Sequence, residues 1–117
     1  KIRATAEEEP RPTVNKVVCA TDGQALYFSK FPIPYDRDAI GVIRYKHIGL
    51  YAYRREALER FHRLPPSTLE RTECLEQLRF LENGVPIIVV ETEEPTVGVD
   101  TEEDLRHVEA ILAARPR

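Results

Sequence analysis

Methionine and tryptophan are absent from the 117 residues, and cysteine occurs only at positions 19 and 74. Two cysteines so far apart form neither a Cys-x-x-Cys metal pair nor a disulfide framework. Cys19 and Cys74 are therefore expected as buried thiols in a reduced, cytoplasmic protein. No apolar run approaches the length that crosses a bilayer and no signal peptide is visible, so no membrane partner is expected. A strong charge of either sign is also missing. The net charge of −3 gives no electrostatic reason to expect a nucleic-acid partner. The chain starts at Lys1, and with no methionine anywhere it is expected to be a processed or truncated piece of a longer polypeptide.

What is present is enough for one core: 42% of the residues are apolar. Residues 1–13, "KIRATAEEEPRPT", are charged and proline-bearing and predict a linker or a frayed start, leaving 14–117 as the folded unit. "KVVCA", "TDG" and "QALYFS" predict strand, turn and strand, since Asp22-Gly23 between β-formers is a hairpin signal. "FPIPYDRD" holds two prolines and predicts an extended loop. Residues 42–54 alternate, which predicts a strand with His47, Gly49, Tyr51 and Tyr53 on one face.

A short helix is expected over 55–61, ending before Pro65-Pro66. Ser67 and Glu70 make a capping-box pattern for a second helix that ends at Asn83-Gly84. In it Cys74, Leu75, Leu78 and Leu81 form the buried stripe. "VPIIVVE" predicts a strand covered on both faces. A last helix over 101–114 is expected to bury Leu105, Val108, Ile111 and Leu112. The order β-β-β-α-α-β-α places the chain in the α/β class, a sheet layered with helices. A doubly covered strand with so few neighbours suggests half of a larger sheet.

Three places have residues suited to chemistry. "VGVDTEEDL", residues 97–105, has four carboxylates in the five positions from Asp100 to Asp104. Thr101 as N-cap with Glu102, Glu103 and Asp104 in the first turn accounts for three of them. Asp100 precedes the cap and repels them, so it is either a turn residue or a ligand for a hard metal. In the second place, His47 and Tyr51 flank Gly49, which on an extended strand separates the rings by about 13 Å. That spacing is either a hollow for a small polar ligand or a satisfied histidine beside core tyrosines. In the third, Glu73, Glu76 and Gln77 share a helix face with Leu69 and Phe80: the lining of a pocket, an interface or a salt-bridge pattern.

"ALYFSKFPIP" (25–34), "KHIGLYAYR" (46–54), "PPSTLERTECLEQLRFLENG" (65–84) and "GVDTEEDL" (98–105) together resemble the C-terminal half of the 3-deoxy-manno-octulosonate cytidylyltransferases, also called CMP-Kdo synthetases. The resemblance runs from about Val14 to Leu112 in the family's order. It implies part of a nucleotidyltransferase-type mixed sheet and a cytoplasmic, dimeric, Mg²⁺-dependent transferase. Such an enzyme joins CTP to the sugar acid Kdo for lipopolysaccharide assembly.

The resemblance implies Asp100 as one of two metal-holding aspartates and His47, Tyr51, Glu76 and Gln77 as contacts of the sugar acid. It implies Lys30 and Arg37 as holders of the sugar carboxylate, although Lys30 replaces the family's commoner arginine and loses its bidentate fork. The family's phosphate loop and its other metal aspartate do not occur in these residues, so the chain alone is expected to be inactive. Two other readings stay open: a non-catalytic self-associating domain, and the relative that activates the nine-carbon sialic acid.

Overall fold

The computed structural model describes residues 1–94, 96–99 and 101–114. Its centre is the hairpin that Asp22-Gly23 predicts. Strand β2 (Lys16–Cys19) and strand β3 (Ala25–Ser29) pair antiparallel, Val17 opposite Phe28, with an irregularity between Val18 and Cys19. The turn closes as the side-chain chemistry requires: the Asp22 carboxylate accepts the Gln24 N–H at 3.0 Å, and Gly23 takes φ +86°. A side chain at Gly23 would be strained at that φ and would meet the Val89 carbonyl.

Strand β1 (Ile2–Arg3) and strand β4 (Tyr45–Lys46) complete a four-stranded sheet in the order β1-β4-β2-β3, with every described pairing antiparallel. Residues 1–13 are thus not a frayed linker. β1 is paired, Ala4 is buried, and Glu8 and Glu9 form ion pairs with Lys46 and Arg44. The signal for this order lies in "TAEE". The Thr5 N–H donates to the Glu8 carboxylate and the Glu8 N–H donates to the Thr5 hydroxyl, a reciprocal cap that fixes the turn.

Helices α1 (Arg55–Arg63), α2 (Thr68–Glu73) and α3 (Leu78–Glu82) follow, then α4 (Glu102–Ala114). The α/β class is as expected, but four elements differ from the sequence reading. The alternating run 42–54 pairs only at Tyr45 and Lys46. Beyond it the Leu50 N–H returns to the Ile48 carbonyl at 2.8 Å and the strand is lost.

The long helix expected after Ser67 is broken. Cys74 takes φ +53°, and both its N–H and that of Leu75 return to the Glu70 carbonyl. The expected buried thiols are accordingly a half-buried Cys19 and an exposed Cys74. Leu75, Leu78 and Phe80 are buried, and Leu75 and Leu78 join Val17, Ala25 and Phe28 in one core between sheet and helices.

The 85–91 run lies beside the turn that leads into β3, through an isolated bridge from Gln24 to Ile88. Ile87 and Val89 pack on the core, while Ile88 is 63% and Val90 76% exposed. Among the described residues only one of its faces is covered. Finally, α4 starts as predicted, with Thr101 and Asp104 exchanging hydrogen bonds, but buries no residue; Val108 and Ile111 are half-buried, and Leu105 and Leu112 exposed.

Candidate functional site

The break at Cys74 decides where three polar side chains go. Glu73, closing α2, turns to the end of β3. There its carboxylate accepts from the Ser29 hydroxyl at 2.7 Å, the Lys30 N–H at 3.0 Å and the Tyr27 hydroxyl at 3.3 Å. Burial pushes the Glu73 carboxyl up, but these three donors outweigh it and hold the group below its ordinary value. Glu73 is therefore a structural strut. Glu76 and Gln77, beyond the break, face the other way and line a cleft of about 870 Å³.

The same cleft is lined by His47 and Tyr51. Their ring centroids stand 5.3 Å apart, so the 13 Å hollow expected around Gly49 does not form. Gly49 is exposed with open space where a side chain would be. His47 also meets Phe28 edge-on at 5.1 Å, and the row continues through Tyr51, Tyr53 and Phe80 to Phe61. Burial, followed by the positive chain terminus, lowers the His47 pKa to about 4, so the imidazole is neutral at pH 7. Burial and the negative neighbours raise the Tyr51 phenol, keeping it a protonated donor.

Gln77 is only 5% exposed and lines the cleft. Among the described residues its carboxamide makes no hydrogen bond, and its amide atoms are not among the buried unpartnered ones, so its donor and acceptor are open to whatever fills the cleft. A neutral imidazole, a phenol, a free amide and the Glu76 carboxylate are complementary to a ligand rich in hydroxyl groups. Arg11 and Lys46 line the same cleft, as does Glu8, which pairs with Lys46. With Lys46 neutralised by Glu8, Arg11 is the cation of this wall that forms no ion pair among the described residues and is suited to an anionic end.

Asp100 lies outside the described residues. Gly98 before it and Thr101 after it both line the cleft, together with Asp104 and His107 of α4. Lys30 and Arg37 are not brought in. Lys30 is held at the end of β3 through its backbone, with its N–H on Glu73 and its carbonyl on Lys16. Arg37 is exposed and paired with Asp38 at 3.0 Å. Its loop is wrapped around the Asp36 carboxylate, which accepts the N–H groups of Ile40, Gly41 and Val42. Arg11 and Glu8 escape the sequence reading because they fall in the segment expected to be a linker.

The cytidylyltransferase family model matches residues 2–93. Over 117 residues the chain is 58% identical to 3-deoxy-manno-octulosonate cytidylyltransferase of Acidobacterium capsulatum, covering 99% of this chain and 48% of that protein. The protein of the same name from Koribacter versatilis is 57% identical over 110 residues, covering 93% of this chain and 42% of that one. The fold superposes with a TM-score of 0.89 and 43% identity on CMP:2-keto-3-deoxy-manno-octonic acid synthetase complexed with CTP. That match covers 96% of this chain and 46% of the other. The chain spans about half the length of the curated relatives it matches. With the family match extending from the paired first strand to the segment before the α4 cap, this chain belongs to the cytidylyltransferase family.

Proposed function

We propose that this chain forms the sugar-acid-binding half of an enzyme that transfers CMP from CTP to Kdo and releases pyrophosphate, feeding lipopolysaccharide assembly. One observation carries the reading. The cleft draws His47 and Tyr51, Glu76 and Gln77, and the flanks of Asp100 from three separate stretches of chain. The relatives' shared name supports Kdo and CTP as the substrates.

In this reaction the anomeric hydroxyl of Kdo attacks the α-phosphate of CTP in line. The new bond to phosphorus forms as the bond to the β-phosphate bridging oxygen breaks; pyrophosphate leaves and the hydroxyl proton passes to solvent. The residues of this chain contribute chiefly by positioning. Gln77 and Tyr51 hydrogen-bond the sugar hydroxyls, neutral His47 fixes one of them, and Glu76 accepts from another.

Among the described residues no three metal-ligating side chains cluster. The cation of this reading is Mg²⁺, which takes one or two protein carboxylates and completes its shell with phosphate oxygens and water. Asp100 would hold it, and when bound it supplies neutralisation of the triphosphate charge. Since Lys30 and Arg37 stand away from the cleft, the carboxylate of the sugar acid falls to Arg11 on its wall.

The reading includes a cytoplasmic homodimer. Phe31 and Tyr35 on the proline-stiffened loop are 71% and 78% exposed, which supports a partner's surface as their cover. No helix among the described residues is long and apolar enough to cross a membrane. The 117 residues by themselves are expected to be inactive.

The test is pyrophosphate release by a polypeptide of the relatives' full length, given CTP, Mg²⁺ and either Kdo or N-acetylneuraminate. Release that depends on Kdo is expected. No release with Kdo, or equal release with both acids, would contradict the reading.

A further inference from the structure

Lys16 opens β2 with none of its surface exposed. It forms no ion pair among the described residues. Its ammonium donates instead to three backbone carbonyls: Val14 at 2.6 Å, Arg11 at 2.7 Å and Lys30 at 2.9 Å. Those three bonds use all the donors a lysine has. Burial pushes the group below the ordinary lysine value, opposed by the charge of Glu9.

Burying a charge is costly unless it is fully hydrogen-bonded. A hairpin that needed only an inward-facing residue at this position would be better served by an apolar one. The partners indicate what the charge holds. Two of the carbonyls belong to the segment 11–14 that approaches β2, and the third ends β3, so the ammonium ties that segment down across the hairpin.

The tied segment is functional in position. Residues Arg11, Thr13, Val14 and Asn15 form one wall of the cleft. Its other backbone restraints are few: Arg11 N–H to Glu8, Val14 N–H to Arg11, and the Asn15 carbonyl accepting the His47 N–H at 2.8 Å. That last bond couples the segment to His47 itself. Prolines at 10 and 12 remove two backbone donors that would otherwise be available to fix it.

We propose that Lys16 is a positioning residue for the sugar acid: it touches no ligand, but its three-carbonyl clamp sets the cleft wall that carries Arg11 and Asn15 and holds His47 in register. This rests on the sugar-acid reading of the cleft and adds a determinant that lies behind it.

The test uses the full-length polypeptide with Lys16→Met and Lys16→Arg. In the Met variant the KM for Kdo should rise about tenfold or more, with kcat and the KM for CTP within about threefold of the parent. Lys16→Arg keeps a charged, multi-donor head and should recover most of the loss. Amide exchange of Val14 and His47 should speed up about tenfold in the Met variant, while the β2–β3 ladder stays protected. If the Met variant does not fold, Lys16→Gln, which can still serve two carbonyls, is expected to show the same split at smaller size. Equal increases in both KM values, or faster exchange with an unchanged KM for Kdo, would overturn the proposal. A parent polypeptide that fails to use Kdo overturns the functional reading beneath it, and this is seen before any variant is compared.

Discussion

The rings of His47 and Tyr51 are in contact, 5.3 Å between centroids and inclined by 52°. An extended strand would hold side chains four residues apart at more than twice that distance. The turn at Ile48–Leu50 therefore converts an alternating sequence into one polar aromatic wall. Phe28 closes the far side of the imidazole, and this enclosure sets its acid–base behaviour.

His47 should titrate near pH 4 rather than 6.5. Between those values the unfolded chain binds a proton that the native ring refuses. Stability is therefore expected to fall as the pH drops from about 6.5 towards 4, and to be insensitive to this group above 6.5. Proton NMR of the ring gives the pKa, and urea midpoints of His47→Phe should lose part of the acid-side slope. A ring pKa above 6 would contradict the buried placement.

Glu73→Ala should destabilise the fold by about 2–3 kcal/mol, because a hydroxyl and a backbone N–H at the end of β3 lose a charged acceptor. Glu73→Gln, which keeps one acceptor oxygen, should cost less. Denaturant titration measures both. A loss below about 0.5 kcal/mol for the alanine variant would show that the strut carries little.

Asp100→Asn in the full-length polypeptide should lower kcat by about a hundredfold or more while leaving the thermal midpoint almost unchanged. The amide keeps the size but loses the charge a hard cation requires. The helix beyond it keeps its Thr101–Asp104 cap. Activity within a few-fold of the parent at moderate Mg²⁺ would make Asp100 a turn residue.

Ile33→Asp and Tyr35→Asp should turn a dimer into a monomer at low micromolar concentration, as read by sedimentation velocity. Tyr35 is 78% exposed, so its substitution costs the isolated fold little. A parent that sediments as a monomer, or variants that stay dimeric, would remove this loop from the contact.

Local chemistry made much of the architecture readable in advance. Asp22-Gly23 announced the hairpin, Ser67 and Glu70 the capping box that does form, and Pro65-Pro66 the stop after α1. What escaped was decided by partners distant in sequence. Nothing around Cys74 announces a left-handed residue; the break is legible only once Glu73 is seen to meet three donors on β3. The alternation of 42–54 is real, since His47, Tyr51 and Tyr53 do share a face, but pairing lasts for two residues and the spacing collapses. Four of the site residues implied by resemblance meet in the cleft. Lys30 and Arg37 do not, because Glu73 and Asp36 hold their segments elsewhere.

The central claim is that the cleft beside Gln77 receives the sugar acid, and steady-state kinetics of Gln77→Ala and His47→Ala in the full-length polypeptide test it most directly. Gln77 is a largely buried residue that lines the cleft, and its amide makes no hydrogen bond among the described residues. Its removal should raise the KM for Kdo about tenfold or more and leave the KM for CTP within about twofold, with His47→Ala following the same pattern. Equal increases for both substrates, or a change confined to CTP, would contradict the assignment of this cleft to Kdo.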